Sequence, residues 1–352
     1  MSQELSAGPA SGRAALRVPD VFGLRVFRRL GLVGVIQAAT AVWFVANVVL
    51  MITSIQPDLA NQTAIGSDSS NYYAAGLRLN AGHPMYHLSP GDRPVPLLPP
   101  PASDAALLSP PLLGVVWRPL ALLGDVSMVI WWLAGMTTLG GIALWMALNG
   151  SIRRNAVIAL IAPFIALCMW SGNVNPFVVA LLIGVWAAHS RGHPAVAGGL
   201  LAVAAGLKLT PAYLAWWLLV RRDWPALKAF VAVGIGVAAV SLLGAGLDNH
   251  LEYLGVARTT ALSGASPWSV PGFLANSGVP ASIAALGAFG WVLLCGAAVW
   301  LLRARPRASF AAGVLLVLYA SPVVLLGNLA LILASTAPFP GPRRLIGGPE
   351  RV

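Results

Sequence analysis

Charged residues are scarce in this sequence, and acidic ones most of all. They make up 9% of the 352 residues, whereas an ordinary soluble domain contains roughly 25%. Aspartate and glutamate together number 11, and lysine occurs twice, at Lys208 and Lys228. Because a soluble protein of this length needs more charge to cover its surface, the composition excludes an ordinary water-soluble enzyme.

Cysteines and metal-ligand patterns are also sparse. The two cysteines, Cys168 and Cys295, both lie in apolar segments, so neither a disulfide framework nor a cysteine zinc site is indicated. The histidines lack the spacing of metal ligands, and the glycines lie in apolar runs rather than in a phosphate-binding loop. We therefore expect no metal ion and no cofactor.

Apolar residues dominate the chain instead. Hydrophobic side chains account for 58% of it, and apolar stretches of about 18 residues or more, each long enough to cross a bilayer as a helix, recur along it. The alternating ten-residue pattern of a membrane β-barrel does not occur in the sequence. The sequence predicts an all-α, polytopic transmembrane helical bundle with about eight to ten spans.

The formal net charge of +11 comes from arginines grouped between apolar runs. Short basic clusters of this kind mark cytoplasmic loops. We therefore expect a multi-pass protein of the cell membrane with a cytoplasmic N-terminus and no nucleic-acid partner. The clusters are Arg25, Arg28 and Arg29; Arg153 and Arg154; Arg221 and Arg222; and Arg303, Arg305 and Arg307.

Hydropathy divides the chain into three predicted regions. Residues 1–30 form a disordered cytoplasmic tail, residues 31–336 a transmembrane domain, and residues 337–352 a C-terminal tail. Within the domain, residues 56–106 and 248–280 are expected to be external loops. A loop as long as the first of these is a natural place for function.

A short helix is predicted inside the first external loop. It covers residues 71–80, with Ser67 or Asp68 as its N-cap. The apolar segment 107–123 follows and is interrupted by three prolines and an arginine. This segment either crosses the membrane or lies along its outer surface.

Six acidic residues in the two external loops are candidates for a carboxylate base on the outer face. Asp68 stands out because it directly precedes a helix rich in aromatic and small residues. Its alternative role is to cap that helix. The six are Asp58, Asp68, Asp92, Asp104, Asp248 and Glu252.

Polar residues inside apolar runs are the other candidates. Lys208 lies in the stretch 195–220, and a cation at the bilayer centre costs about 2.5–3.5 kcal/mol. It either binds a phosphate, which suits a compact ammonium, or extends its ammonium to the membrane interface. Asn173 and Asn175 either bind sugar hydroxyls or join helices. Arg78 contacts either a substrate phosphate or ordinary lipid headgroups.

Several short motifs occur in a fixed order between residues 68 and 222. They are Asp68 followed by Tyr72-Tyr73-Ala74-Ala75, then Leu79-x-x-Gly82-x-Pro84-x-Tyr86, Pro110-Pro111-Leu112, Gly172-Asn173-Val174-Asn175, Ala197-Gly198 and Lys208-x-x-Pro211. The set resembles glycosyltransferase family 87, the polyprenyl-phosphate-mannose-dependent α-mannosyltransferases of the GT-C superfamily. The motifs cover less than half of the chain.

The resemblance implies a GT-C-type bundle that acts as a hexosyltransferase on the outer face. Such an enzyme transfers mannose, with inversion, from a polyprenyl-phosphate donor to a lipid or glycan acceptor. Asp68 matches the catalytic base, and Lys208 matches a lysine near the donor phosphate. Tyr72, Asn173 and Asn175 are the further substrate-binding candidates within the motifs.

The chain departs from the family pattern at two points. Asn173 stands where the family usually carries glutamine. The late Ser321-Pro322 leads into Val-Val-Leu-Leu-Gly-Asn, where the family commonly has tryptophan and histidine. A catalytically inactive family member is therefore one alternative. A transporter or flippase is another, because it would also use broken helices and an intramembrane lysine.

Overall fold

The fold is a bundle of α-helices. The computed structural model describes residues 22–54, 67–87, 107–263, 269–320, 324 and 326–339. These residues form thirteen α-helices and two 3-10 helices and contain no β-strand. The all-α, polytopic helical bundle is thereby confirmed.

The α-helices are numbered here in chain order. They are α1 Phe22–Ser54, α2 Ser67–Asn80, α3 Pro111–Ala121, α4 Val126–Leu148, α5 Ile152–Trp170, α6 Asn175–Ser190, α7 Pro194–Leu207, α8 Ala215–Val220, α9 Trp224–Ser263, α10 Val270–Asn276, α11 Ala281–Leu301, α12 Pro306–Tyr319 and α13 Ile332–Ser335. The 3-10 helices are Thr210–Leu214 and Leu326–Leu331.

Five of the described segments are long and apolar enough to cross a membrane. They are Gly31–Thr53, Val126–Leu148, Ile152–Trp170, Trp224–Arg258 and Ser282–Leu301. Shorter apolar helices cover Asn175–Ser190, Pro194–Leu207, Thr210–Val220, Pro306–Tyr319 and Leu326–Ser335. The number of spans stays a prediction, since it depends on how many of the shorter helices cross.

Hydrogen bonds between helices define the direction of the bundle. Gln37 Nε2 donates to Gly150 O at 2.9 Å, and Trp43 Nε1 donates to Ala159 O at 3.0 Å. Because Gly150 precedes Ala159 as Gln37 precedes Trp43, α1 and α5 run side by side in the same direction. The C-terminal ends of α1 and α5 therefore lie at the same end of the bundle.

Helices α6 and α7 run in opposite directions along the bundle. α6 begins at Asn175, shortly after α5, and near its other end His189 contacts the carboxylate of Asp223 at 2.9 Å. α7 leads back to Lys208, whose Nζ donates to Asn175 Oδ1 at 2.9 Å. We call the end of the bundle that contains Asn175 and Lys208 the asparagine end.

Arginines gather at the opposite end, which we call the arginine end. They occupy the turns between α4 and α5, α6 and α7, α8 and α9, and α11 and α12, or the first turn of the helix that follows. Two of these turns meet, since Arg221 Nη1 donates to Arg303 O at 3.4 Å. The residues are Arg153, Arg154, Arg191, Arg221, Arg222, Arg303, Arg305 and Arg307.

The short helix expected after Asp68 is present as α2, and it begins slightly earlier, at Ser67. The segment 107–123 forms α3, whose 11 residues extend for about 16 Å. That length is roughly half of the hydrocarbon core of a bilayer. The structure therefore favours the interpretation in which this segment does not cross. Its packing agrees, because Asn80 Nδ2 at the end of α2 donates to Arg118 O at 2.8 Å.

The second expected loop, 248–280, is largely helical. Helix α9 bends at Gly246, which has φ +79°, and then continues to Ser263 before α10 begins at Val270. Glycine takes this left-handed conformation without the steric cost other residues meet. Whether the segment lies outside the membrane stays a prediction. Of the two predicted tails, 1–21 and 340–352 lie outside the described residues, and 22–30 is helical.

Candidate functional site

Asp68 lies at the start of α2, against the break between α5 and α6. Its backbone N–H donates to Ser171 O at 3.0 Å, and its Oδ2 accepts from Asn173 Nδ2 at 2.6 Å. The chain turns sharply at this break, where Gly172 has φ +65°. These contacts place the carboxylate at the asparagine end of the bundle.

Two hydrogen bonds orient the side chain of Asn173. Its Oδ1 accepts from the backbone N–H of Asn175 at 2.8 Å, as a capping side chain does at the start of a helix. Its Nδ2 is then directed towards Asp68. A hydrogen bond to a carboxylate is charge-assisted and stronger than one between neutral groups. Asn173 therefore holds the Asp68 carboxylate in a defined position.

The environment of Asp68 favours a basic carboxylate. Burial raises the pKa of the Asp68 carboxyl above its ordinary value, while hydrogen bonds from Asn173 and Ser171 and the charge of Lys208 act in the opposite direction. Desolvation disfavours the ionised form. A carboxylate with a raised pKa takes up a proton more readily than an exposed one, which suits a general base.

A second polar cluster joins three separate segments at the same end. Lys208 Nζ donates to Asn175 Oδ1 at 2.9 Å and to Asn328 Oδ1 at 3.0 Å. Asn175 Nδ2 also donates to Asn328 Oδ1, at 2.8 Å. Because the backbone of Asn175 bonds to Asn173, a continuous path of hydrogen bonds connects Lys208 with Asp68.

The ammonium of Lys208 contacts no carboxylate among the described residues. The contacts found there between a carboxylate and a basic side chain join His189 to Asp223 and His87 to Glu252. Two amide oxygens solvate the lysine, but amides carry no charge to neutralise it. The Asp68 carboxylate acts on the ammonium through its charge but makes no ion-pair contact with it.

Aromatic rings pack beside Asp68. Tyr72 OH accepts from the backbone N–H of Val174 at 3.4 Å, and the Tyr72 ring centroid lies 6.2 Å from those of Trp117 and Trp131. Burial, followed by the negative charge of Asp68, raises the pKa of Tyr72 well above its usual range. Tyr72 therefore stays a neutral phenol, and its substrate-binding role stays a prediction.

Arg78 lies apart from the two clusters. It is about 15 Å further along α2 than Asp68. Its side chain is 4% exposed and donates from Nη1 to Met85 O at 2.8 Å. The structure therefore does not bring Arg78 together with the other candidates, and its substrate-binding role stays a prediction.

The two other candidate bases among the described residues do not contact the site. Asp248 is exposed, and Glu252 contacts His87. The remaining three, Asp58, Asp92 and Asp104, lie outside the described residues. Among the three described candidates, Asp68 is the one that contacts Asn173, and its role as base stays a prediction.

Comparison with known protein families decides the class of protein. The family model for glycosyltransferase family 87 matches residues 108–326, which is more than half of the chain. The chain belongs to glycosyltransferase family 87. It is therefore a membrane glycosyltransferase, as the order of motifs predicted. No curated protein and no solved structure matches the chain.

The family match covers part of the site. Asn173, Asn175 and Lys208 lie inside it, whereas Asp68 precedes it and Asn328 follows it. Asn328 was not predicted as a site residue from the sequence of this family 87 protein. The available signal was a single amide in the otherwise apolar run 323–333. This run is the late segment that departs from the family pattern.

Replacing Lys208 by methionine tests whether the lysine serves binding rather than stability. Methionine has a similar length without the charge. Removing a desolvated cation that has no carboxylate in direct contact is expected to leave Tm unchanged or raise it, while sugar transfer is lost. Thermal unfolding in detergent and a transfer assay on the same preparation measure the two effects.

The exposed Lys228 provides the matched control. Lys228→Met should change neither Tm nor transfer. A Tm several degrees lower in Lys208→Met, with transfer intact, would contradict the binding role.

Proposed function

We propose that this family 87 enzyme transfers mannose from a polyprenyl-phosphate donor to a lipid or glycan acceptor on the outer face of the membrane. Asp68 is the base, Lys208 binds the donor phosphate, and transfer proceeds with inversion. The observation that carries the proposal is the hydrogen-bonded path from the Asp68 carboxylate through Asn173 and Asn175 to the Lys208 ammonium. This path links a carboxylate with a lysine ammonium that has no carboxylate in direct contact among the described residues.

Asp68 and Lys208 serve the two parts of the reaction, which are proton removal from the acceptor and departure of the phosphate. The acceptor oxygen attacks C1 of the sugar, and its proton passes to the Asp68 carboxylate. The bond between C1 and the phosphate oxygen breaks, and the electron pair stays on the phosphate. The Lys208 ammonium stabilises the negative charge that develops there. Attack opposite the leaving phosphate inverts the configuration at C1.

The sugar and its carrier are inferred from the resemblance to family 87. A cation without a counter-charge is compatible with the phosphate of such a donor. A sugar already linked to a phosphate is activated for transfer, so this chemistry requires no nucleotide. Mannose and the polyprenyl chain are therefore the substrates to test first.

The outer face is inferred from the charges at the two ends of the bundle. Eight arginines lie at the arginine end, and basic loops favour the cytoplasm. The asparagine end, which carries the site, is the opposite end. This orientation also agrees with a cytoplasmic N-terminus, since α1 runs towards the asparagine end.

Asp68→Asn tests the proposed base. The amide keeps the shape of the side chain but accepts no proton, so transfer from radiolabelled polyprenyl-phosphate-mannose is expected to fall by about 10²–10⁴-fold. Membranes with equal amounts of each variant are assayed. Asp248→Asn, which changes an exposed carboxylate, is the matched control and should transfer as the wild type does.

The outcome separates the alternatives. Transfer that persists in Asp68→Asn would remove Asp68 from the mechanism. An inactive family member would bind the donor but transfer nothing even as the wild type, and a transporter would retain its activity in the variant.

The pH profile of transfer tests the role of Asn173. Asp68 must be deprotonated to act as a base, so transfer falls as the pH drops through its pKa. The hydrogen bond from Asn173 lowers that pKa. Asn173→Ala is therefore expected to move the acidic limb of the profile to higher pH, with a smaller loss on the alkaline side.

Asn149→Ala is the control for this profile. Asn149 is an exposed amide at the end of α4 that bonds only locally, to Trp145 O at 2.9 Å. Its loss should leave the acidic limb in place. If Asn173→Ala lowered transfer equally at every pH, without a shift, the positioning role would be wrong.

A further inference from the structure

The late segment of the chain supplies a side chain to the proposed donor site. Asn328 lies in the 3-10 helix Leu326–Leu331, which packs against α5. Gly327 lies beside α5, where a Cβ atom would be in ordinary van der Waals contact with the Cα of Cys168, at 3.4 Å. Asn328 is 5% exposed. The segment thus delivers an amide to the interior of the asparagine end.

Asn328 and Asn175 surround one ammonium. Each supplies its Oδ1 to Lys208 Nζ, at 3.0 Å and 2.9 Å respectively. Asn328 Oδ1 also accepts from Asn175 Nδ2 at 2.8 Å, which fixes the orientation of both amides. Since a lysine ammonium has three N–H donors, two are used by the amides and one is left for a ligand.

Because the side chain of Asn328 is neutral, it leaves the positive charge of the Lys208 ammonium in place. An aspartate in its place would accept the same hydrogen bond from Lys208 and would also cancel the positive charge. An amide solvates the ammonium without cancelling it, so the site keeps a positive potential that attracts an anion. A lysine whose ammonium served stability alone would be expected to contact a carboxylate directly.

We propose that Asn328 is a positioning residue of the donor site, and that its neutral amide keeps the Lys208 ammonium oriented and uncompensated for a phosphate group. This inference rests on the proposed function. It assigns the late 3-10 helix to the donor site and explains why a buried lysine there is held by amides. It also makes the charge at position 328 a determinant of donor affinity.

The variant Asn328→Asp tests whether Asn328 serves donor binding or only the packing of the 3-10 helix. The variant keeps the size of the side chain and the oxygen that accepts from Lys208, but it adds a negative charge. We expect the KM for the polyprenyl-phosphate-sugar donor to rise at least about tenfold with a smaller change in kcat, since a donor that binds less tightly raises KM. Binding of polyprenyl phosphate to the purified protein should weaken by a similar factor.

A comparison of two ligands makes the charge effect specific. The wild type should bind polyprenyl phosphate more tightly than uncharged polyprenol, and Asn328→Asp should lose that preference. Asn155→Asp is the matched control, because Asn155 is a fully buried amide at the arginine end. It should keep the preference for the phosphate.

These experiments distinguish a failure of the inference about Asn328 from a failure of the proposed function. If the wild type neither binds polyprenyl phosphate nor transfers sugar, the proposed function is wrong and the inference falls with it. If the wild type does both and Asn328→Asp binds and transfers equally well, the inference alone is overturned. Should Asn328→Asp not accumulate, Asn175→Asp places the same charge against Nζ and is expected to give the same loss.

Discussion

The site depends on one interaction, the contact of the Lys208 ammonium with two amide oxygens. Asn175 and Asn328 lie 33 and 120 residues from Lys208 in the chain, so the contact ties together the starts or ends of separate helices. It holds the ammonium without neutralising it. The remaining polar groups of the site are arranged around this cation, and Asp68 is connected to it through Asn173.

Interruptions of helices make this arrangement possible. The break between α5 and α6 carries Asn173 and Asn175, the end of α7 carries Lys208, and the late 3-10 helix carries Asn328. At each interruption, backbone N–H and C=O groups lack the partners that a continuous helix would provide. All three meet at the asparagine end, so a predominantly apolar bundle brings several polar side chains together there.

The sequence predicted much of this protein because its polar residues are so few. Long apolar runs are sufficient to identify helices, and the helix after Asp68 follows from its composition. Asp68 and Lys208 were identifiable because a charge in such a chain is conspicuous. The order of motifs predicted glycosyltransferase family 87, and the family match confirmed it.

Asn328 could not be predicted in the same way, because its importance arises from a contact with Asn175 across 153 residues. An amide in an apolar run is equally compatible with ordinary helix packing. Nor could the sequence show that Arg78, which shares a helix with Asp68, donates to Met85 O. Local pattern reveals which side chains are unusual, whereas tertiary packing decides which of them meet.

The most direct measurement is an experimental structure of the protein bound to a non-transferable phosphonate analogue of polyprenyl-phosphate-mannose. We expect a phosphonate oxygen within hydrogen-bond distance of Lys208 Nζ, with the sugar between that group and the Asp68 carboxylate. A phosphonate bound at the arginine end, or at Arg78 and away from Lys208, would contradict this expectation.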